Sequence, residues 1–468
     1  MIFFYFEHVK RAGGTISATF IKILFHRDAR LIMENPLKRI VSCVAVLVII
    51  IASISIYYFY TSKKEPIKVG ILHSLTGTMA NSEKSLVDVL LMAIDEINNQ
   101  GGLLGRPVEA IVVDSKSDWE YSAKMADKLI NKEKVSVIFG CWTSACRKTV
   151  KPVFEKNKSI LFYPVQYEGL EQSPNIIYTG AAPNQQIIPA VKWSLTNIGK
   201  RVFLVGSDYI FPHTANEVIK DQVRAMGGTV LGEEYILLGS KDVDGIVQKI
   251  VETSPDVILN TINGDSNIAF FQALRKKGIT PTKVPTMSFS IAEEELQYLN
   301  VSEMVGDFAA WNYFESVPGN VNQIFVENFK QRYGQNRVTD DPMEAAYIGV
   351  YLWAKAVKAA NTDEAKDVLE MIKGQSLAAP EGPVNIDQFN NHTWKWVRIG
   401  KIKPNGQFNI IWSSDKAIQP VPYPDYRTKE DWHIFLNNLY HSWGNSWANS
   451  EENKKKLQDH KKSFYKEQ

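Results

Sequence analysis

Cysteine is nearly absent from this chain: Cys43, Cys141 and Cys146 are the three in 468 residues. Neither a disulfide framework nor a Cys-x-x-Cys metal pair can be built from them. Cys141 and Cys146 are spaced to bridge locally in an oxidising compartment, although two small buried thiols is the reading we take. Catalytic signatures are missing too. There is no Gly-x-Ser-x-Gly elbow, no His-Glu-x-x-His, no Walker loop and no Gly-x-Gly-x-x-Gly behind a strand. The eight histidines show no ligand spacing, and His433 with His441 suits a solvated helix face better than a metal. Glu293-Glu294-Glu295 reads as the first turn of a helix, favourable against its dipole, and not as an acid–base pair. We therefore expect a chain that is not an enzyme and uses no cofactor or metal. Charge of one sign is also lacking: 53 basic against 51 acidic residues leave a net charge of +2 and no footprint for nucleic acid.

One long apolar run is present. Ile40 to Tyr60 carries no charge, is about long enough to cross a bilayer core, and is flanked by Lys38-Arg39 and Lys63-Lys64. Basic residues outnumber acidic ones upstream of it (Lys10, Arg11, Lys22, Arg27, Arg30, Lys38 and Arg39 against Glu7, Asp28 and Glu34), which keeps the N-terminus cytoplasmic and sends the rest outward. Residues 1–39 are then a cytoplasmic tail or signal n-region, and 40–60 a transmembrane anchor or the core of a cleaved signal with Ser53 and Ser55 near the cut. The interfacial belt Tyr57-Tyr58-Phe59-Tyr60 favours the anchor. No second apolar span follows, which argues against a complete membrane receptor or kinase. The expected location is periplasmic or cell-surface.

Beyond Lys64, strands alternate with helices of about three turns. The strand Ile67–Leu72, the helix Leu86–Asn99, the strand Val108–Asp114 and the helix Trp119–Asn131 come first. A strand–helix–strand unit from Val135 to Gly169 follows. From Asn184 the alternation restarts, with strands at Val202–Gly206, Thr229–Tyr235, Val257–Asn260 and Val284–Met287. This pattern means βαβ units, an α/β class and two doubly wound, mainly parallel lobes. Ser290-Ile291-Ala292-Glu293 reads as a capping box, and Asp341-Pro342 as an N-cap before a proline. The proline opens the apolar helix Met343–Ala359, in which burial is the expected role of Tyr347, Tyr351 and Trp353. Two antiparallel strands, Thr393–Ile399 and Phe408–Trp412, come near the end. The last 18 residues, from Glu451, read as a charged, frayed end.

Recognition chemistry concentrates at strand ends, where open α/β sheets bind ligands. Trp142-Thr143-Ser144 closes one strand and opens a helix, so Ser144 offers a hydroxyl beside free backbone N–H groups. Tyr163-Pro164-Val165-Gln166-Tyr167 closes the next strand, and its tyrosines with Trp142 supply flat walls with polar handles. Trp142 and Tyr163 serve equally well as core caps. Arg147 and Lys148 lie one turn into the helix, so no cation is expected at either tip and the ligand should be small, polar and uncharged. In the second lobe, Asp208-Tyr209 and Asn263-Gly264-Asp265-Ser266 sit at matching ends; an N-cap is the plainer role for Asp265.

The strings VGILHSLTGTMA, FGCWTSACRK, LFYPVQYEG, SPNIIYTGAAPNQQ, LVGSDYIFP, NGDSN and DDPMEAAYIGVYLW resemble the type I periplasmic binding proteins. Within them they resemble the substrate-binding component of urea ABC transporters, close to the short-chain amide sensors. The resemblance runs from about Ile67 to about Trp447. It implies two lobes joined by three crossover strands: lobe 1 over 66–183, completed by about 312–360, and lobe 2 over 184–311, completed by about 361–415. Residues 416–468 would be an extension. It also implies ligand contacts at Trp142, Ser144, Tyr163, Pro164, Val165, Gln166 and Tyr167, and a membrane permease as partner. Cys146 stands where relatives commonly have a small polar residue. The expected function is capture of urea or a short-chain amide by two-lobe closure for an ABC transporter. The alternatives are a sensory amide or urea receptor, a branched-chain amino-acid receptor and, last, a hydrolase.

Overall fold

The computed structural model describes residues 36–61 and 65–450. The basic residues before Pro36 and the charged end from Glu451 lie outside them. The chain divides into two units, residues 1–65 and 66–468.

In the first unit Pro36–Thr61 forms one 26-residue helix, and Ile40, Val41, Val44 and Val46–Ile51 are exposed on it. Among the described residues no helix is long and apolar enough to cross a membrane. The segment read as a span at 40–60 is recovered as a helix.

The second unit is built on two large sheets. Strands β1 (Ile67–His73), β2 (Val108–Asp114), β3 (Val137–Gly140), β4 (Leu161–Tyr163) and β5 (Ile176–Tyr178) form a parallel sheet in the order β2-β1-β3-β4-β5. Strands β6 (Arg201–Ser207), β7 (Thr229–Ile236), β8 (Val257–Thr261), β9 (Thr286–Ser288) and β10 (Phe308–Trp311) start the second sheet. An antiparallel ribbon follows, of β11 (Ser376–Ala379), β12 (Gly382–Ile386) and β13 (Thr393–Trp394). Strands β14 (Arg398–Ile402) and β15 (Phe408–Ser413) then complete the second sheet as its antiparallel edge, in the order β15-β14-β10-β9-β8-β6-β7. Apolar residues run almost unbroken through β1, β3, β6 and β8, as expected of strands covered on both faces; Val69, Ile71, Val137, Leu204 and Leu259 are fully buried. The two-lobed doubly wound fold is thus as expected.

Several boundaries differ. Val368, Ile372, Val384 and Ile386 pack into the core around β1 and β3, so the return to the first lobe continues past residue 360, and within 361–415 it is β14 and β15 that join the second sheet. Thr393-Trp394 pairs in the small ribbon instead of running on to Ile399, because Ile386 and Asn385 supply its ladder. Ser290 caps no helix: its hydroxyl bonds to the Ile262 carbonyl, and Glu295 closes back on the Ala292 N–H at 3.0 Å. The N-cap of the helix Asp341–Ala360 is Asp340, which accepts from the Met343 N–H at 3.1 Å. Asp341 instead accepts the main-chain N–H groups of Asn312 and Tyr313 at 2.8 and 2.9 Å. On this helix Trp353 is buried as expected, while Tyr347 and Tyr351 are half-buried and their hydroxyls both donate to Glu96.

The chain passes between the lobes after β5, after β10 and before β14. Asn312 ties these crossings together by donating to the carbonyls of Gln185 (2.9 Å) and Trp396 (2.5 Å).

Candidate functional site at the interlobe strand ends

Strand β3 stops at Gly140 and the helix Ser144–Asn157 starts four residues later. Cys141 and Cys146 are joined by a disulfide that staples this turn, which corrects the reading of two free thiols. The two residues flank a single tight turn, and its closure brings their side chains together. Thr143 is the N-cap, accepting from the Cys146 N–H at 3.1 Å, and this leaves the Ser144 hydroxyl free for other partners.

Those partners are charged. Ser144 donates to Glu168 and accepts from Arg147 Nη1 at 2.9 Å. Arg147, fully buried, also pairs with Glu168 and Glu171, each at 2.9 Å, and Lys148 holds Glu171 at 3.1 Å. The expectation of a tip without a cation is overturned. Residues three apart share a helix face, and helical side chains lean toward the N-terminus, so the Arg147 guanidinium folds back onto Ser144. It also lies over the rings of Tyr163 (4.8 Å) and Tyr167 (4.5 Å). Arg147 and Lys148 face Glu168 and Glu171, so the tip is charged but balanced. Burial opposes ionisation of Glu171, yet Lys148, Arg147 and Lys151 hold its carboxyl well below the usual range.

In the next turn, Tyr163 to Tyr167 is buried throughout. Gly180 at the exit of β5 lets this turn pack closely, since a Cβ there would lie 2.1 Å from the Val165 carbonyl. Tyr163 donates to the Trp142 carbonyl, joining the two tips. Gln166 donates across the cleft to the Phe289 carbonyl at 2.8 Å. Tyr167 turns away: its ring stacks on Tyr178 at 5.1 Å and on His392, and its hydroxyl bonds to His392 and to the Glu171 carbonyl. Burial pushes His392 down to about 3, so that imidazole is neutral. Tyr167 is therefore part of the packing behind the site. The Trp142 indole N–H and the second amide atom of Gln166, its oxygen, are buried with no hydrogen-bond partner among the described residues, which leaves both open to a polar partner.

From the second lobe, Tyr209 is buried at the start of the helix Ile210–Ala225. Burial raises its phenol well above the ordinary value, as do Tyr163 and Glu168, while Arg147 opposes them; its surroundings are the first lobe's tip. The other second-lobe candidates are engaged elsewhere. Asp208 holds His213 (2.9 Å) and Asn449 (3.0 Å). Asn263 donates its main-chain N–H to Ser207 at 3.0 Å and its amide to the Thr261 carbonyl at 3.2 Å. Asp265 sits at the cap position of the helix Ser266–Lys276 but makes no cap bond; it accepts from Asn81 of the first lobe at 3.0 Å. Trp142, Ser144, Tyr163 and Tyr209 thus lie together, with Pro164 and Val165 in the buried turn that follows Tyr163, whereas Gln166 bridges to Phe289 and Tyr167, Asp208, Asn263 and Asp265 serve the scaffold or the closure. Sequence reasoning missed Glu168 and Glu171 and placed Arg147 away from the tip. The available signal was two acids in the buried run that follows Tyr167.

Residues 67–429 match the periplasmic binding protein domain family. Relatives include the Leu/Ile/Val-binding protein BraC3 of Rhizobium johnstonii, 26% identical over 41% of this chain and 53% of that protein. A limonene hydroxylase of Geobacillus stearothermophilus is 32% identical over 25% of this chain and 21% of its own length. The chain therefore spans about half of one relative and a fifth of the other, and the shared fifth carries no activity over. Among solved structures, an ABC-transporter solute-binding protein of R. palustris in complex with 4-hydroxybenzoate superposes with a TM-score of 0.70 at 24% identity, covering 76% of this chain and 98% of that one. A family match over most of the chain, on a two-lobed fold whose polar tips meet between the lobes, makes this protein a member of the periplasmic binding protein family.

Proposed function

We propose that the chain is an extracytoplasmic solute receptor that closes on urea or a short-chain amide and delivers it to an ABC permease. The observation that carries the reading is the balanced cluster Ser144–Arg147–Glu168, with Tyr209 facing it from the other lobe. A planar amide offers a carbonyl acceptor and N–H donors with no net charge. Tyr209 and the unpartnered Trp142 N–H suit the carbonyl; Glu168, which already accepts from Ser144, and the unpartnered Gln166 oxygen suit the N–H groups. A buried site of this kind rejects a wrong ligand because its polar groups are then left unpaired. Family membership supports the location, and the exposed apolar residues on the helix Pro36–Thr61 support its use as a tether.

The second reading is a branched-chain amino-acid receptor, favoured by the names of relatives such as BraC3 and by the presence of Arg147 and Lys148. Against it, both cations already hold buried carboxylates. Titration calorimetry with urea, acetamide, leucine and 4-hydroxybenzoate tests the choice. Heat with urea or acetamide is expected; heat with leucine alone would overturn the ligand.

A further inference from the structure

The segment after β15 does more than cover the second lobe. The Ile210 N–H donates to the Trp447 carbonyl at 3.0 Å, Ala448 pairs antiparallel with Tyr209, and the Asn449 N–H donates to the Asp208 carbonyl at 3.0 Å. Asn449 also donates its side-chain amide to Asp208, whose other oxygen holds His213. His213 in turn lies between the stacked ring of Tyr235, 3.5 Å away, and the edge of Trp443. Residues Asp208 to Ile210 leave the end of β6, and the terminal segment supplies the main-chain partners that a strand neighbour would otherwise give. The same segment reaches the first lobe. The Lys148 ammonium lies over the Trp447 ring at 4.9 Å, and the Leu170 N–H donates to the Pro422 carbonyl at 2.8 Å.

We propose that Trp447 to Asn449 form a clasp that positions Tyr209 for the ligand and holds the second lobe's strand end against the first lobe. Trp447 and Asn449 are positioning residues, acting through Tyr209; the inference rests on the reading of Tyr209 as a ligand contact. A segment that merely covered the apolar cluster of Trp432, Leu436, Trp443 and Ala448 would affect stability without regard to Tyr209.

The test is a double-mutant cycle in the full chain. Asn449→Ala and Trp447→Ala are each combined with Tyr209→Phe, and affinity is measured with whichever of urea, acetamide, leucine and 4-hydroxybenzoate gives heat with the native protein. Amide exchange at Asp208 to Ile210 is followed in parallel. Asn449→Ala is expected to weaken binding about tenfold, the worth of roughly one hydrogen bond. In the Tyr209→Phe background that loss should largely vanish, and exchange at Tyr209 and Ile210 should quicken. Unchanged affinity, or losses that add fully in the two backgrounds, overturns the clasp. If Trp447→Ala does not fold, Asn449→Ala decides alone. Should none of the four ligands bind the native chain, the proposed function falls, and the clasp stands or falls on whether Asn449→Ala speeds exchange.

Discussion

Ser144 donates to Glu168 while it accepts from Arg147, so its role cannot be confined to a ligand. Replacing it by alanine leaves a buried carboxylate oxygen and a guanidinium N–H each short of a partner. Ser144→Ala should lower folding stability by roughly 1–3 kcal/mol as well as ligand affinity, which denaturant unfolding beside calorimetry will show; loss of affinity alone would return the serine to a pure ligand contact. Glu171 makes a prediction with a definite sign. Its carboxyl is held below the usual range by Lys148, Arg147 and Lys151 against the effect of burial. It therefore stabilises the fold above its unfolded value of about 4.3, and that contribution is lost as pH falls toward the lower native value. Glu171→Gln should cost roughly 3–5 kcal/mol at neutral pH, because Lys148 and Arg147 lose a buried partner. The gap to the native chain should narrow at about pH 3; a gap independent of pH would sink this account.

The short helix Glu293–Leu296 carries three consecutive glutamates as its first turn. Acids at a helix start suit its dipole, but Glu293 and Glu294 are buried and not solvated. Glu295 accepts from Ser82 of the first lobe at 2.8 Å. Burial, and then Glu295, push Glu294 up to about 7 against the pull of Arg337. With its native value raised, Glu294 contributes stability that is fully present below about pH 4.3 and lost as pH rises through about 7. Glu294→Gln should flatten the thermal-stability profile over that window, and an unchanged slope would refute the assignment. Two more closure contacts join the lobes, Asn81 to Asp265 and Gln166 to the Phe289 carbonyl. Asp265→Ala removes a bond that exists only with the lobes together. Ligand release should therefore quicken several-fold, worth about 1 kcal/mol, with little change in melting temperature. Stopped-flow dissociation checks it.

For the whole molecule, the three crossings meet at Asn312, whose amide reaches Gln185 and Trp396. The two-lobed class was legible because strands such as Val108–Asp114 and Val257–Thr261 are short apolar runs between turn signals. The three-strand ribbon and β10 were not, since Phe308–Trp311 is four residues with no alternation and β13 is two residues long. Such strands exist only because a neighbour supplies a ladder.

Local chemistry was therefore enough to place Trp142, Ser144 and Tyr163 at strand ends, because strand length, turn residues and helix starts are set by nearby residues. Tyr209 was placed at an end of the same kind for the same reason. The charge at those tips was a different matter. Arg147 meets Glu168 and Glu171 across more than 20 residues of chain, and Asp208 is claimed by an asparagine 241 positions away. A residue's neighbours in sequence decide where its backbone goes, but a buried charge is governed by whatever partner the packed chain brings within about 3 Å. The fold alone could supply that pairing.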